Sequence, residues 1–125
     1  MDRACKKLLL VVGLQLTACS LFEAKETTYL RSAQNEASQD QVRDYLGSPV
    51  GTETDPEGQA VWFYQMREQQ PGNRITAPGM WCDEYALTFD QQGVLRSWTH
   101  RSYFHGGEFM PTYCVPGGFG ARTTF

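Results

Sequence analysis

Leu87-Thr88-Phe89-Asp90-Gln91-Gln92-Gly93-Val94-Leu95 is the stretch on which the fold turns. Asp90-Gln91-Gln92-Gly93 reads as a hairpin turn, with glycine where a positive φ is tolerated, and strands joined by so short a turn must be antiparallel neighbours. Upstream, residues 81–89 alternate. Trp81, Asp83, Tyr85, Leu87 and Phe89 point one way and Cys82, Glu84, Ala86 and Thr88 the other, the period of a strand with one buried face. Downstream, residues from 94 to about 103 return as the next strand.

Further out, Ala60-Val61-Trp62-Phe63-Tyr64-Gln65-Met66-Arg67 is aromatic, β-branched and apolar on both faces, and supplies the first of three strands. The connection 69–79 holds Pro71-Gly72 and Pro78-Gly79, which predicts a long irregular and mobile loop. Residues 51–58 read as a loop turning at Asp55-Pro56-Glu57-Gly58. Ahead of the strands, Ser38 with Gln41 forms a capping box, Val42, Tyr45 and Leu46 fall at helical spacing, and Gly47 stands before Pro49, so a helix over 39–46 is expected. Tyr29, Leu30, Ala33 and Ala37 give a weaker helical signal over 29–37. The expected fold is α+β: two short helices packed on a three-stranded antiparallel meander.

The amino terminus sets the compartment. Arg3, Lys6 and Lys7 precede an apolar run over 8–16, and small residues then lead into Cys19, the layout of a bacterial secretory signal. Even taken on to Ala18, about eleven residues, the run is well short of the roughly 20 needed to span a bilayer. Leu16-Thr17-Ala18-Cys19 resembles the lipobox of bacterial lipoproteins. That resemblance implies diacylglyceryl transfer to the Cys19 sulfur, cleavage before Cys19 and acylation of the new amino group, with Ser20 in the following position implying an outer-membrane address. Two or more acyl chains anchor stably. The expected organisation is a signal peptide over 1–18, a lipidated tether over 19–28, one domain over 29–115 and a loose tail over 116–125.

Three of the eleven basic residues and one of the fourteen acidic residues lie in the signal, so processing makes a chain of formal charge −3 more acidic still. No clustered Lys and Arg mark a nucleic-acid surface. Anionic headgroups offer such a body nothing, which leaves the acyl chains to supply membrane affinity. Of four cysteines, Cys5 leaves with the signal and Cys19 takes lipid. Cys82 and Cys114 remain as a disulfide pair for an oxidising compartment, closing a loop worth roughly 3 to 4 kcal/mol by chain entropy. The competing reading is a metal site using both cysteines and His100 or His105.

Several segments together resemble the SmpA/OmlA (BamE-like) outer-membrane lipoproteins. Residues 38–49 resemble that family's capped helix running into Leu-Gly-x-Pro, Val61-Trp62-Phe63-Tyr64 its aromatic first strand, and residues 87–95 its Phe-Asp-x-x-Gly-x-Leu hairpin. The resemblance implies the family's two-layer sandwich and a part in envelope assembly, with the β-barrel assembly machinery as a candidate partner. Glu36-Ala37-Ser38 departs from the family's Gly-Met-Thr, and the cysteine pair is closer to the osmotically inducible branch.

No nucleophile or acid–base set gathers in the sequence, so no catalytic residue, cofactor or metal is assigned. His100, His105 and Glu108 fit no metal motif. Binding is the better expectation. With Phe63, Tyr85, Leu87, Phe89 and Leu95 assigned to the helix side, Trp62, Tyr64 and Trp98 fall on the opposite face, unless a bulge re-aims a strand. There the tail, with Phe104, Phe109, Met110 and Tyr113, covers them, or they stay open as a protein-docking patch. Other functions left open are a stress-linked lipoprotein, an inhibitor of a periplasmic enzyme, and a metal carrier or enzyme using the region 100–114.

Overall fold

A computed structural model describes residues 23–106 and 113–122 of the 125-residue chain. The order is α1 (Lys25–Ala33), α2 (Gln39–Leu46), β1 (Gly51–Thr54), β2 (Ala60–Gln70), β3 (Gly79–Phe89), β4 (Leu95–Gly106) and a helical turn α3 (Phe119–Arg122). The strands form one antiparallel sheet in the order β1-β2-β3-β4. The sheet therefore has four strands where three were expected.

The extra strand, β1, lies in the segment read as a loop. Asp55-Pro56-Glu57-Gly58 does turn, but it turns a hairpin: Asp55 N–H donates to Gln59 O at 2.9 Å, and Asp55 Oδ1 accepts from Gln59 N at 2.8 Å. Thr52 and Thr54 then pair with Trp62 and Ala60. The strand is short and mostly exposed, so it carries no buried alternation for a pattern to detect. β2 and β3 are also longer than expected, pairing out to Gln70 and Gly79.

The chain divides between Ser32 and Ala33 into two units. In the first, α1 begins at Lys25, inside the stretch read as tether. Arg31 Nη2 meets Glu23 Oε1 at 2.6 Å, and Thr28 donates to Glu23 Oε2 at 3.2 Å and to Ala24 O at 3.3 Å. These polar contacts fix the early turn where apolar spacing gives no signal. The helix stops at Ala33, short of the expected Ala37, and Asn35 turns left-handed at φ 66°.

In the second unit, α2 carries the expected capping box: Gln41 N–H donates to Ser38 Oγ at 3.3 Å and Ser38 N–H to Gln41 Oε1 at 2.9 Å. α2 lies on the sheet face that carries Trp62, Tyr64, Tyr85 and Leu87. The Arg43 guanidinium sits 4.9 Å from the Trp62 ring centre, and Tyr64 Oη donates to Gly47 O at 2.9 Å. Leu87 and Phe89 are fully buried, and Phe89 meets the Trp62 ring at 4.7 Å.

The hairpin joins this layer to the sheet through Asp90. Its Oδ1 accepts from Gln92 N at 2.9 Å and Val94 N at 3.0 Å, and its Oδ2 accepts from Arg96 Nε at 2.6 Å. Gly93 takes φ 78°. Ser97 pairs with Thr88 and Leu95 with Phe89, so a bulge leaves Arg96 unpaired and returns Leu95 to the core face. Arg96 reaches on to Asn35 Oδ1 at 3.3 Å. The segment between the helices pairs with this corner: Asn35 N–H to Leu95 O at 2.7 Å, Leu95 N–H to Ala37 O at 2.9 Å and Gln39 N–H to Gly93 O at 3.0 Å.

The Val94 amide is the largest influence on the Asp90 carboxyl; desolvation opposes it, Arg96 and the Gln92 amide reinforce it, and the net effect lowers the pKa below the ordinary carboxyl value. A depressed native pKa contributes stability that is complete above the unfolded carboxyl value and lost as pH falls through the native one. Asp90→Asn should therefore flatten the acid limb of the stability profile, measured as urea midpoints from neutral pH down to about pH 2.

Candidate functional site

The sheet face opposite α2 carries Val61, Phe63, Cys82, Glu84, Arg101, Tyr103 and His105, as the strand registers require. A carboxyl-terminal strap, residues 113–119, lies over it. Cys114 pairs with Cys82 as a disulfide with Cα atoms 5.6 Å apart, and both cysteines are fully buried. Val115 is buried with them. His105, also buried, donates from Nε2 to Cys114 O at 2.7 Å, and Arg101 Nη2 donates to Pro116 O at 2.6 Å.

Glu84 is the residue that sequence reasoning missed here. It is 4% exposed, although the apolar alternation of β3 assigned its face to solvent. Its Oε2 accepts the Phe119 amide at 3.0 Å and Gln65 Nε2 at 3.4 Å. Both partners are polar groups brought in from distant chain positions, so no local pattern announces them. A Cβ on Gly118 would stand 2.5 Å from the Glu84 oxygens, and one on Gly51 would run into the Phe119 ring. Phe119 in turn stacks on Phe63 at 4.8 Å and 24°. Contact with the sheet thus continues past the Val115 limit expected from the sequence.

The face assignment of β2 needs correcting. Trp62 pairs with Leu87, Tyr64 with Tyr85, and Trp98 with Leu87, so the three aromatic residues share the helix-covered face, whereas Phe63 lies under the strap. Trp62 and Tyr64 are 6% and 2% exposed and Trp98 is half-buried. β2 is apolar on both sides, so its composition sets no phase, and only the register does. Exposed aromatic side chains lie instead on α2, where Tyr45 is 54% exposed, and at the far end of the sheet, where Trp81 (40% exposed) packs at 5.1 Å on Phe104 and Tyr103 is 43% exposed.

The two histidines stand on opposite faces. His100 stacks on Tyr85 at 4.4 Å and reaches Asp83 Oδ1 with Nε2 at 2.8 Å, while His105 is taken up by the strap. Among the described residues no three His, Cys, Asp or Glu side chains gather to hold a metal. Cys19, Glu108, Phe109 and Met110 lie outside the described residues.

What the strap face offers is a snug internal seat for a Gly-Phe segment. Gly51→Ala should unseat Phe119 and destabilise the chain by about 1 to 3 kcal/mol. The exposed neighbour Glu53→Ala should change stability by less than about 0.5 kcal/mol. Denaturant titration of the oxidised protein measures both.

Residues 23–99 match a family model described as the outer membrane protein assembly factor BamE domain. No curated protein and no solved structure gives a match. The matched span holds α1, α2, β1 to β3 and the first part of β4, including the Asp90 hairpin, while the strap and Cys114 lie beyond it. Covering well over half of the 125 residues, it shows that this chain belongs to the BamE-domain family.

Proposed function

We propose that the protein is a non-catalytic outer-membrane lipoprotein, anchored through Cys19 and facing the periplasm, that serves outer-membrane assembly or maintenance by contact with other envelope proteins. The observation that carries this reading is the BamE-domain match over residues 23–99, and the lipobox Leu16-Thr17-Ala18-Cys19 just ahead of it supports the anchor. The buried Cys82–Cys114 pair agrees with an oxidising compartment, where such a bond forms and persists. Acylation would hold the domain at the membrane without any spanning helix, and among the described residues no helix is long and apolar enough to span. On this reading Trp62 and Tyr64 act through the fold, holding α2 on the sheet, and the contact surface is built from what α2 and the strap leave uncovered.

Affinity capture of the full-length protein from gently solubilised envelopes tests the proposal, with Cys19→Ala as control. The acylated form should fractionate with the outer membrane and recover β-barrel assembly components in stoichiometric amount; Cys19→Ala should become soluble and lose most of that recovery. Acylated protein that brings down a different envelope protein, and nothing of that machinery, would overturn the assembly role.

A further inference from the structure

β4 is one edge of the sheet, β1 being the other, and it pairs on its inner side with β3 at every residue except the bulged Arg96. On its outer side the segment between the helices takes up only the first two residues, through Asn35, Ala37 and the Gln34 side chain, which donates to Arg96 O at 2.9 Å. Over 97–105 no backbone group on that side has a backbone partner among the described residues. At about 3.4 Å per residue this is roughly 30 Å of edge that no described residue pairs.

Proteins ordinarily blunt such edges with bulges, prolines, lysines or brevity. Here the bulge lies before the open stretch, and 97–105 contains no lysine, proline or acid. We propose that the outer edge of β4 receives an extended segment of a client chain by strand addition. The occupant we assign is an unfolded membrane-barrel strand that alternates apolar and polar residues, with acids among the polar ones.

Two features of β4 select that occupant. Its side chains alternate by face, with Trp98, His100, Ser102 and Phe104 on the α2 side and Ser97, Thr99, Arg101, Tyr103 and His105 on the strap side. An added strand would continue both faces, setting apolar residues beside Trp98 and Phe104 and polar ones beside Thr99 and Arg101. Arg101 in mid-strand favours an acid opposite it, on the polar side of the added strand, and it disfavours a second copy, since antiparallel self-pairing centred there sets guanidinium against guanidinium. A barrel strand of about 9 to 11 residues with a two-residue alternation has the matching length and period. Naming a barrel client rests on the assembly reading above; the open edge rests on β4 alone.

The test uses the oxidised full chain as Cys19→Ala, with a synthetic ten-residue peptide alternating valine with threonine and glutamate as the probe. Residue-resolved amide exchange should find every second amide of 97–105 fast in the free protein and slowed at least about tenfold with peptide bound. N-methylation of the peptide at alternate residues on its bonding edge should weaken binding by at least about tenfold. Edge amides already protected in the free chain, or protection that follows protein concentration and not peptide, would overturn the proposal. Peptide binding together with a capture lacking barrel-assembly components would keep the edge site and remove the assembly reading.

Discussion

The Asp90 carboxylate is the interaction on which the described domain depends. It accepts two amides of its own turn and the guanidinium of Arg96, and the bulge that frees Arg96 also sends Leu95 into the core. From that corner, backbone hydrogen bonds run to Asn35, Ala37 and Gln39, so the turn that joins β3 to β4 also holds the entrance of α2. Hairpin register, core filling and helix placement share one anchor. Loss of the anchor would be felt in all three, because neighbouring interactions in one network do not add independently.

With α2 fixed, the chain covers its sheet unequally. The face beneath α2 is closed by Trp62, Tyr64 and Leu87, and the opposite face by a strap that needs a glycine at 51, a glycine at 118 and a buried carboxylate at Glu84 to sit down. Hydrogen-bonding a buried carboxylate to a backbone amide offsets part of its desolvation, and the disulfide keeps the strap close enough for that bond to persist. The two faces are thereby used for stability. Among the described residues, the surface left outside these two faces includes the aromatic far end and the long edge of β4, along with exposed Tyr45, Val50 and Ile75.

Legibility in the sequence followed locality. The capping box of α2 and the Asp90 turn are written in short windows and take the predicted form, and the alternation of β3 holds over Tyr85, Leu87 and Phe89, while Cys82 and Glu84 are buried on the other face as well. β1 escaped because an exposed four-residue edge strand has no hydrophobic pattern. The start of α1 escaped because Glu23, Thr28 and Arg31 fix it by polar contacts. The phase of β2 was undecidable from a run apolar on both sides, and Phe63 and Trp62 exchanged faces as a result. Glu84 was illegible for a different reason: its partners Gln65 and Phe119 are far away in the chain, and a buried carboxylate is expected only once they are known. The family resemblance rested on the local windows, which is why it held while the strap, lying outside residues 23–99, had to be read from contacts.

Native-state amide exchange at single-residue resolution tests the central claim most directly. If the Asp90 corner holds α2 to the sheet, the amides of Asn35, Gln39, Val94 and Leu95 open only with global unfolding, at the same free energy as the central β2–β3 ladder. Exchange of Asn35 and Gln39 as fast as the exposed loop 71–78, with the ladder still protected, would contradict it and leave α2 held by side-chain packing alone.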